Sequence, residues 1–161
     1  MNPDSTISRL EKSLPQTGRL DWIGLRPARD ADMTVAETAQ VTVADGLVGD
    51  RGVSAKRAVT LIQAEHLSVI AALLGKNHPI HPLLLRRNLV VSGINLLALR
   101  RRRFRIGGAV LEGTAPCAPC SKMEAALGPG GWNAMRGHGG LYAAVVEDGE
   151  ISVGDPVRVE P

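Results

Sequence analysis

The sequence is cut into short β-forming runs by glycine, and few runs are long enough for a helix. Eighteen glycines and ten prolines are spread along 161 residues. Runs rich in Val, Ile, Leu and Thr, bounded by such breakers, read as strands. They fall at Arg19–Leu25, Glu37–Ala44, Ala58–Ile62, after Arg86-Arg87-Asn88, at Phe104–Leu111, at Leu141–Val146 and at Ile151–Val159. Within Glu37–Ala44, Val41 and Val43 alternate with Thr42 and Ala44. Gly107-Gly108 and Asp148-Gly149 are the expected hairpin turns. Many short strands closed on themselves remove exposed edges, so the expected fold is mainly β, a closed barrel with a few short peripheral helices.

The clearest helix is Gln63–Leu74. Leu67, Ile70, Ala71 and Leu74 share one face, and Gly75 follows as a stop. Shorter helical turns are expected at Ile7–Leu14, Lys122–Leu127 and Trp132–Arg136. One domain suffices for this length, with residues 1–18 as a loose leader and residues 19–161 as the barrel.

Aromatic residues make up only 2% of the chain, so the core has to be built from aliphatic side chains. No apolar run approaches the roughly 20 residues of a membrane span, and the N-terminus lacks the apolar centre of a signal peptide. The cytoplasm is the expected location, with no membrane partner.

Basic residues are mostly arginine, fifteen against four lysines. Arginine suits bidentate recognition of phosphate or carboxylate. The densest cluster, Arg100–Arg103 with Arg105, reads as a solvated sheet edge whose charges block further pairing. Stacking aromatics are too few for a nucleic-acid partner.

Both cysteines lie in Gly113-Thr114-Ala115-Pro116-Cys117-Ala118-Pro119-Cys120-Ser121-Lys122-Met123. Two prolines force an extended turn here, and the first turn of the helix after it is expected to hold Cys120. Free amide donors at a helix start favour a thiolate, which can act as a nucleophile, a redox partner or a soft metal ligand. A zinc site would need ligands besides this pair.

The remaining polar candidates are less specific. Asp50, in the glycine-rich loop 45–52, is expected to order that loop by accepting backbone amides. Lys56 and Arg57 precede a strand, where they suit an anionic ligand or serve as surface charge. Asn88 offers a donor and an acceptor for a heterocycle edge, or caps a turn. His66, His78 and His81 read as ordinary helix and loop residues.

Taken in order, Gly-Leu-Val-Gly-Asp, Arg-Ala-Val-Thr-Leu-Ile-Gln-Ala-Glu-His-Leu, Arg-Arg-Asn-Leu-Val-Val-Ser-Gly, Thr-Ala-Pro-Cys-Ala-Pro-Cys-Ser-Lys-Met and Ile-Ser-Val-Gly-Asp-Pro-Val form one pattern. It resembles the MOSC domain, named for the C-terminal domain of molybdenum cofactor sulfurases, from about Gly18 to the end. The resemblance implies a β-barrel that binds the molybdenum cofactor (molybdopterin), with a cysteine as molybdenum ligand or sulfur carrier.

The family's Pro-Cys-x-Lys pattern falls on Pro119–Lys122, which assigns the principal cysteine to Cys120. Cys117 is left as a second sulfur site, a resolving thiol or a spectator. The family's Arg-Glu-Asn-Leu stands here as Arg86-Arg87-Asn88-Leu89, with Arg87 in place of Glu. By the same resemblance, Asn88 and Thr114 would meet the pterin edges, and Lys56, Arg57 or Arg87 the phosphate.

The implied activity is reduction of N-hydroxylated compounds by an oxidoreductase that draws electrons from a separate partner protein. The alternatives are a sulfur or cofactor carrier that serves an acceptor protein, and a cysteine-pair thiol or zinc protein.

Overall fold

A computed structural model describes residues 5–52 and 55–161. The strands are β1 (Gly18–Leu25), β2 (Thr34–Ala36), β3 (Thr38–Thr42), β4 (Gly46–Leu47), β5 (Val59–Gln63), β6 (Leu89–Ser92), β7 (Arg103–Ile106), β8 (Ala109–Pro116), β9 (Leu141–Glu147), β10 (Gly149–Ser152) and β11 (Pro156–Val159). The α-helices are α1 (Thr6–Lys12), α2 (Ala64–Leu73), α3 (Pro82–Leu85), α4 (Ser121–Leu127) and α5 (Gly131–Met135), with 3-10 turns at Ala55–Arg57 and Leu96–Leu99.

Seven strands close into the expected barrel, in the order β1, β6, β5, β9, β8, β7, β11 and back to β1. The closing contact pairs Gly18 with Val157 and Arg19 with Pro156. All these neighbours are antiparallel except β5 and β6, which run parallel and are joined through α2 and α3. A parallel pair needs such a crossover, whereas antiparallel neighbours such as β7 and β8 need only a tight turn. Gly107 supplies that turn with φ of 53°.

Period-two alternation explains why β5 is buried along its whole length. Leu61, Leu89 and Val91 point into the barrel beside Leu20, Ile23, Phe104 and Leu111. Ile62 and Val90 point outward into a second apolar cluster with Ile70 of α2, Leu85 of α3, Met123 of α4 and Met135 of α5. The helices therefore cover one outer face of the barrel and leave the β8–α4 connection at their margin. No described helix is long and apolar enough to cross a membrane.

Three local expectations are corrected. Asp148-Gly149 turns the chain without making a hairpin: β9 pairs with β8 and β5, while β10 leaves to pair with β3 in a separate small sheet with β4. The Asp148 carboxylate accepts the Val43 amide at 2.7 Å and fastens that turn to the end of β3. Val43 lies beyond β3 and is exposed, so the alternation there ends at Val41.

The arginine cluster at 100–105 does not sit on a free edge, because β7 is paired on both sides. Its side chains instead form outer-surface ion pairs, Arg105 with Glu160 at 2.7 Å and Arg103 with Glu112 at 3.4 Å.

Within the leader, Ser5 caps α1 by accepting the Ser8 amide at 3.1 Å. Leu14 packs against the barrel core. Arg102 donates to the Glu11 carbonyl at 3.0 Å, so the segment is anchored at two points.

Candidate functional site

Where β8 runs into α4, the chain crosses one end of the barrel, and the arginines gather there. A cavity of about 370 Å³ is lined by Arg26, Arg51, Arg57, Arg86, Arg87 and Lys122, together with Cys117, Cys120 and Tyr142. Arg26 is ion-paired with Asp50 and Lys122 with Asp30, so among the described residues Arg51, Arg57, Arg86 and Arg87 give this concavity its positive charge.

Cys120 occupies the residue just before α4, one position earlier than expected. Its backbone is extended (φ −116°, ψ 176°) and its carbonyl accepts the Met123 amide at 2.9 Å. The side chain makes no capping bond. The thiol is free, exposed and on the cavity wall.

Cys117 is also free but only 4% exposed. Its amide donates to the Gly140 carbonyl at 2.8 Å, which pins the cysteine loop against residues 137–140. A Cβ on Gly139 would run into the Cys117 carbonyl, and one on Gly140 into the Leu61 carbonyl. Only glycine allows this approach, and Gly140 also needs φ of 102°.

Tyr142, the one tyrosine of the chain, stands beside Cys117. Burial pushes its phenol above the usual range, a hydrogen bond with the Cys117 thiol adds to this, and the charges of Arg57 and Arg87 oppose it. The Arg57 guanidinium lies 5.1 Å from the ring centroid, within cation–π range.

Arg87 is 7% exposed and is held by main-chain carbonyls, Gly139 at 2.8 Å and Leu85 at 3.0 Å. Among the described residues its Nη2 is buried with no partner, and so is Nη2 of Arg86. Arg86 adopts the left-handed conformation (φ 54°) that ends α3, and its Nη1 donates to Ala31 at 2.6 Å. An unpaired buried charged donor costs about 1–3 kcal/mol or more. Both arginines line the same cavity, and an anion bound there would compensate part of this buried charge.

Arg26 is fixed differently. Asp50 Oδ1 accepts from Arg26 N at 2.6 Å and Nε at 3.1 Å, and Oδ2 from Nη2 at 2.9 Å. Burial alone would raise the Asp50 carboxyl. Hydrogen bonds from Arg26 and the Gly52 amide hold it below the ordinary carboxylate range instead. Asp50 thus orders its loop, as expected, and also holds a cavity arginine.

Of the residues singled out from sequence, Cys117, Cys120, Arg57 and Arg87 meet at the cavity, while Asn88, Thr114 and Lys56 do not line it. Asn88 is wholly buried; its Nδ2 donates to Gly24 and Asp50, both at 3.0 Å. Its Oδ1 accepts from Thr60 N at 3.1 Å and Oγ1 at 3.0 Å. With its amide fully engaged, Asn88 ties β6 to β5, β1 and the Asp50 loop. Thr114 Oγ1 donates to the Lys56 carbonyl at 2.6 Å, which holds the turn carrying Arg57.

Sequence reading missed Arg26, Arg51, Arg86, Lys122 and Tyr142 as cavity residues. Lys122 was within sight, in the Pro-Cys-x-Lys pattern, and Tyr142 as the single tyrosine. Arg26 and Arg51 carry no local signal.

A small β-barrel with an exposed cysteine at the rim of an arginine-lined cavity is the class of protein defined here. The chain belongs to the MOSC domain family, whose family model matches residues 38–158. That match begins at β3, although β1 is an integral stave of the barrel.

Solved structures share the fold. The YUAD protein from Bacillus subtilis is 17% identical, with a TM-score of 0.77 over 91% of this chain and 97% of that one. YiiM from Geobacillus stearothermophilus is 19% identical, with a TM-score of 0.73 over 89% and 75% of the two chains. YiiM from Escherichia coli is 21% identical, with a TM-score of 0.67 over 89% and 70%. No curated protein matches the sequence.

Proposed function

We propose that the arginine-lined cavity holds a molybdenum cofactor of the molybdopterin type and that the protein reduces N-hydroxylated or otherwise N-oxygenated compounds. The observation that carries this reading is the meeting of the exposed Cys120 thiol with the unpartnered Arg86 and Arg87 nitrogens on one cavity. A soft thiolate suits molybdenum, and planar guanidinium donors suit the cofactor's phosphate. When bound, the cofactor would supply a two-electron redox centre.

The chain's own residues divide the remaining work. Cys120 would ligate the metal, and Arg86 and Arg87 would bind phosphate, each with a donor that no described protein group satisfies. Arg57 is steadied by the Tyr142 ring and adds positive charge. Tyr142, kept as a neutral phenol, presents its O–H as a hydrogen-bond donor beside Cys117. Asn88 and Asp50 act at one remove by fixing Arg26, and Thr114 by fixing the turn that carries Arg57. Breaking one N–O bond consumes two electrons and two protons and releases the amine and water, with the electrons coming from a separate protein.

The deciding experiment is molybdenum content and oxidised-pterin fluorescence of protein purified anaerobically from a host that makes the cofactor. Cys120→Ala is purified beside it. Stoichiometric molybdenum and pterin, with molybdenum lost in the variant, is the expected result; absence of both from wild-type protein overturns the reading.

One observation favours a second reading, sulfur or cofactor delivery. Cys120 is exposed and within reach of an acceptor protein. Transfer of cofactor or of persulfide sulfur to an acceptor without turnover of N-oxygenated compounds would select it. Zinc gains no support: among the described residues no group of three or more His, Cys, Asp or Glu side chains is placed to hold a metal ion.

A further inference from the structure

A second and larger cavity, of about 620 Å³, lies on the other side of the cysteine loop. Cys117 and Ala118 line both spaces. Its volume is in the range of small-molecule sites, roughly 300–1,000 Å³.

The walls are mostly apolar, built from Leu96, Leu97, Pro116, Pro119 and Trp132. Leu97 is 61% exposed and Trp132 40% exposed. Large apolar side chains left in water around a concavity mark a binding surface. Trp132 is also held rigid: its indole N–H donates to the Pro119 carbonyl at 3.1 Å, and the Arg136 guanidinium sits 5.3 Å from its ring.

One end of the cavity is polar. His66 and His138 meet edge to face with ring centroids 4.8 Å apart, and His138 Nδ1 is buried without a partner among the described residues. Burial and then the charge of His138 lower the His66 pKa, which favours the neutral His66 imidazole. A neutral imidazole presents one acceptor nitrogen. No carboxylate is among the described lining residues, and the one cation there, Arg136, lies over Trp132.

We infer that this second cavity binds a small neutral molecule with a ring-sized apolar body and a hydrogen-bond donor at one end, the donor meeting the His66–His138 pair. The binding rests on protein groups alone. Its meaning as the seat of the substrate, next to the first cavity across Cys117 and Ala118, rests on the cofactor reading above.

The test titrates purified protein of recorded molybdenum content with acetophenone oxime and with its O-methyl ether, which lacks the donor. Binding is read by calorimetry. The oxime is expected to bind about fivefold more tightly than the ether, the worth of one hydrogen bond. His138→Leu is expected to erase that difference. Leu97→Glu, on an exposed side chain that the core does not need, is expected to weaken both ligands about tenfold.

Equal binding of oxime and ether by wild-type protein, or oxime binding unmoved by Leu97→Glu, overturns the proposal. Cys120→Ala separates the two readings. Protein without molybdenum that still binds the oxime in a Leu97-dependent way removes the cofactor reading and leaves the second cavity standing.

Discussion

The Asp50 carboxylate grips Arg26 through both the backbone amide and the guanidinium, with its side chain entirely out of solvent. Asn88 donates to the same Oδ1 at 3.0 Å. Removing one partner of a buried pair leaves the other charge uncompensated. Asp50→Ala is therefore expected to cost about 3 kcal/mol of stability, measured by urea unfolding, and to weaken anion binding through a misplaced Arg26.

The same carboxylate sets an acid limit. Its folded pKa lies below the ordinary carboxylate value, so its contribution is fully present above that value and is lost as pH falls through the folded pKa. Stability should drop across that acid window in wild-type protein. Asp50→Asn should flatten the drop; an unchanged slope would assign it to other groups.

The two cysteines should separate in their effects. Cys120→Ala removes an exposed side chain and should leave the melting temperature unchanged while abolishing molybdenum retention. Cys117→Ala removes a buried side chain beside Tyr142, and should destabilise by about 1 kcal/mol. Thermal melts and metal analysis of both variants check this.

Arg87→Ala and Arg57→Ala, made singly, should each weaken cofactor binding. Arg87 should have the larger effect, about tenfold or more, because its free nitrogen is buried. Equal affinity of wild type and both variants would take these side chains off the phosphate.

Gly140→Ala forces a Cβ into the Leu61 carbonyl at a positive φ. The expected loss is about 3 kcal/mol or more, seen as a lowered melting temperature or loss of soluble protein. A melt equal to wild type would show that the loop before β9 can move away from β5.

What sequence made visible was local. The β-branched run Ala58–Ile62, the amphipathic run of α2 and the Gly107-Gly108 turn each specify their own element within a few residues. Cys120 was legible because prolines and a following helix frame it. The Arg26–Asp50–Asn88 cluster was not, since its members lie 24, 38 and 62 positions apart and meet only when β1, β6 and the loop after β4 are assembled. The departure of β10 was hidden for a similar reason: Asp-Gly signals a turn but not which strand the chain will pair with after it. The second cavity lies between elements distant in sequence, so no motif announces it.

The closing stave of the barrel has a further consequence for the life of the polypeptide. Because β11 pairs with β1 on one side and β7 on the other, a chain that stops short of residue 156 presents two raw edges at once. Such edges template intermolecular pairing. Premature termination just upstream of β11 thus yields a sticky fragment, and quality control must dispose of it despite its possession of every cysteine and arginine of the site.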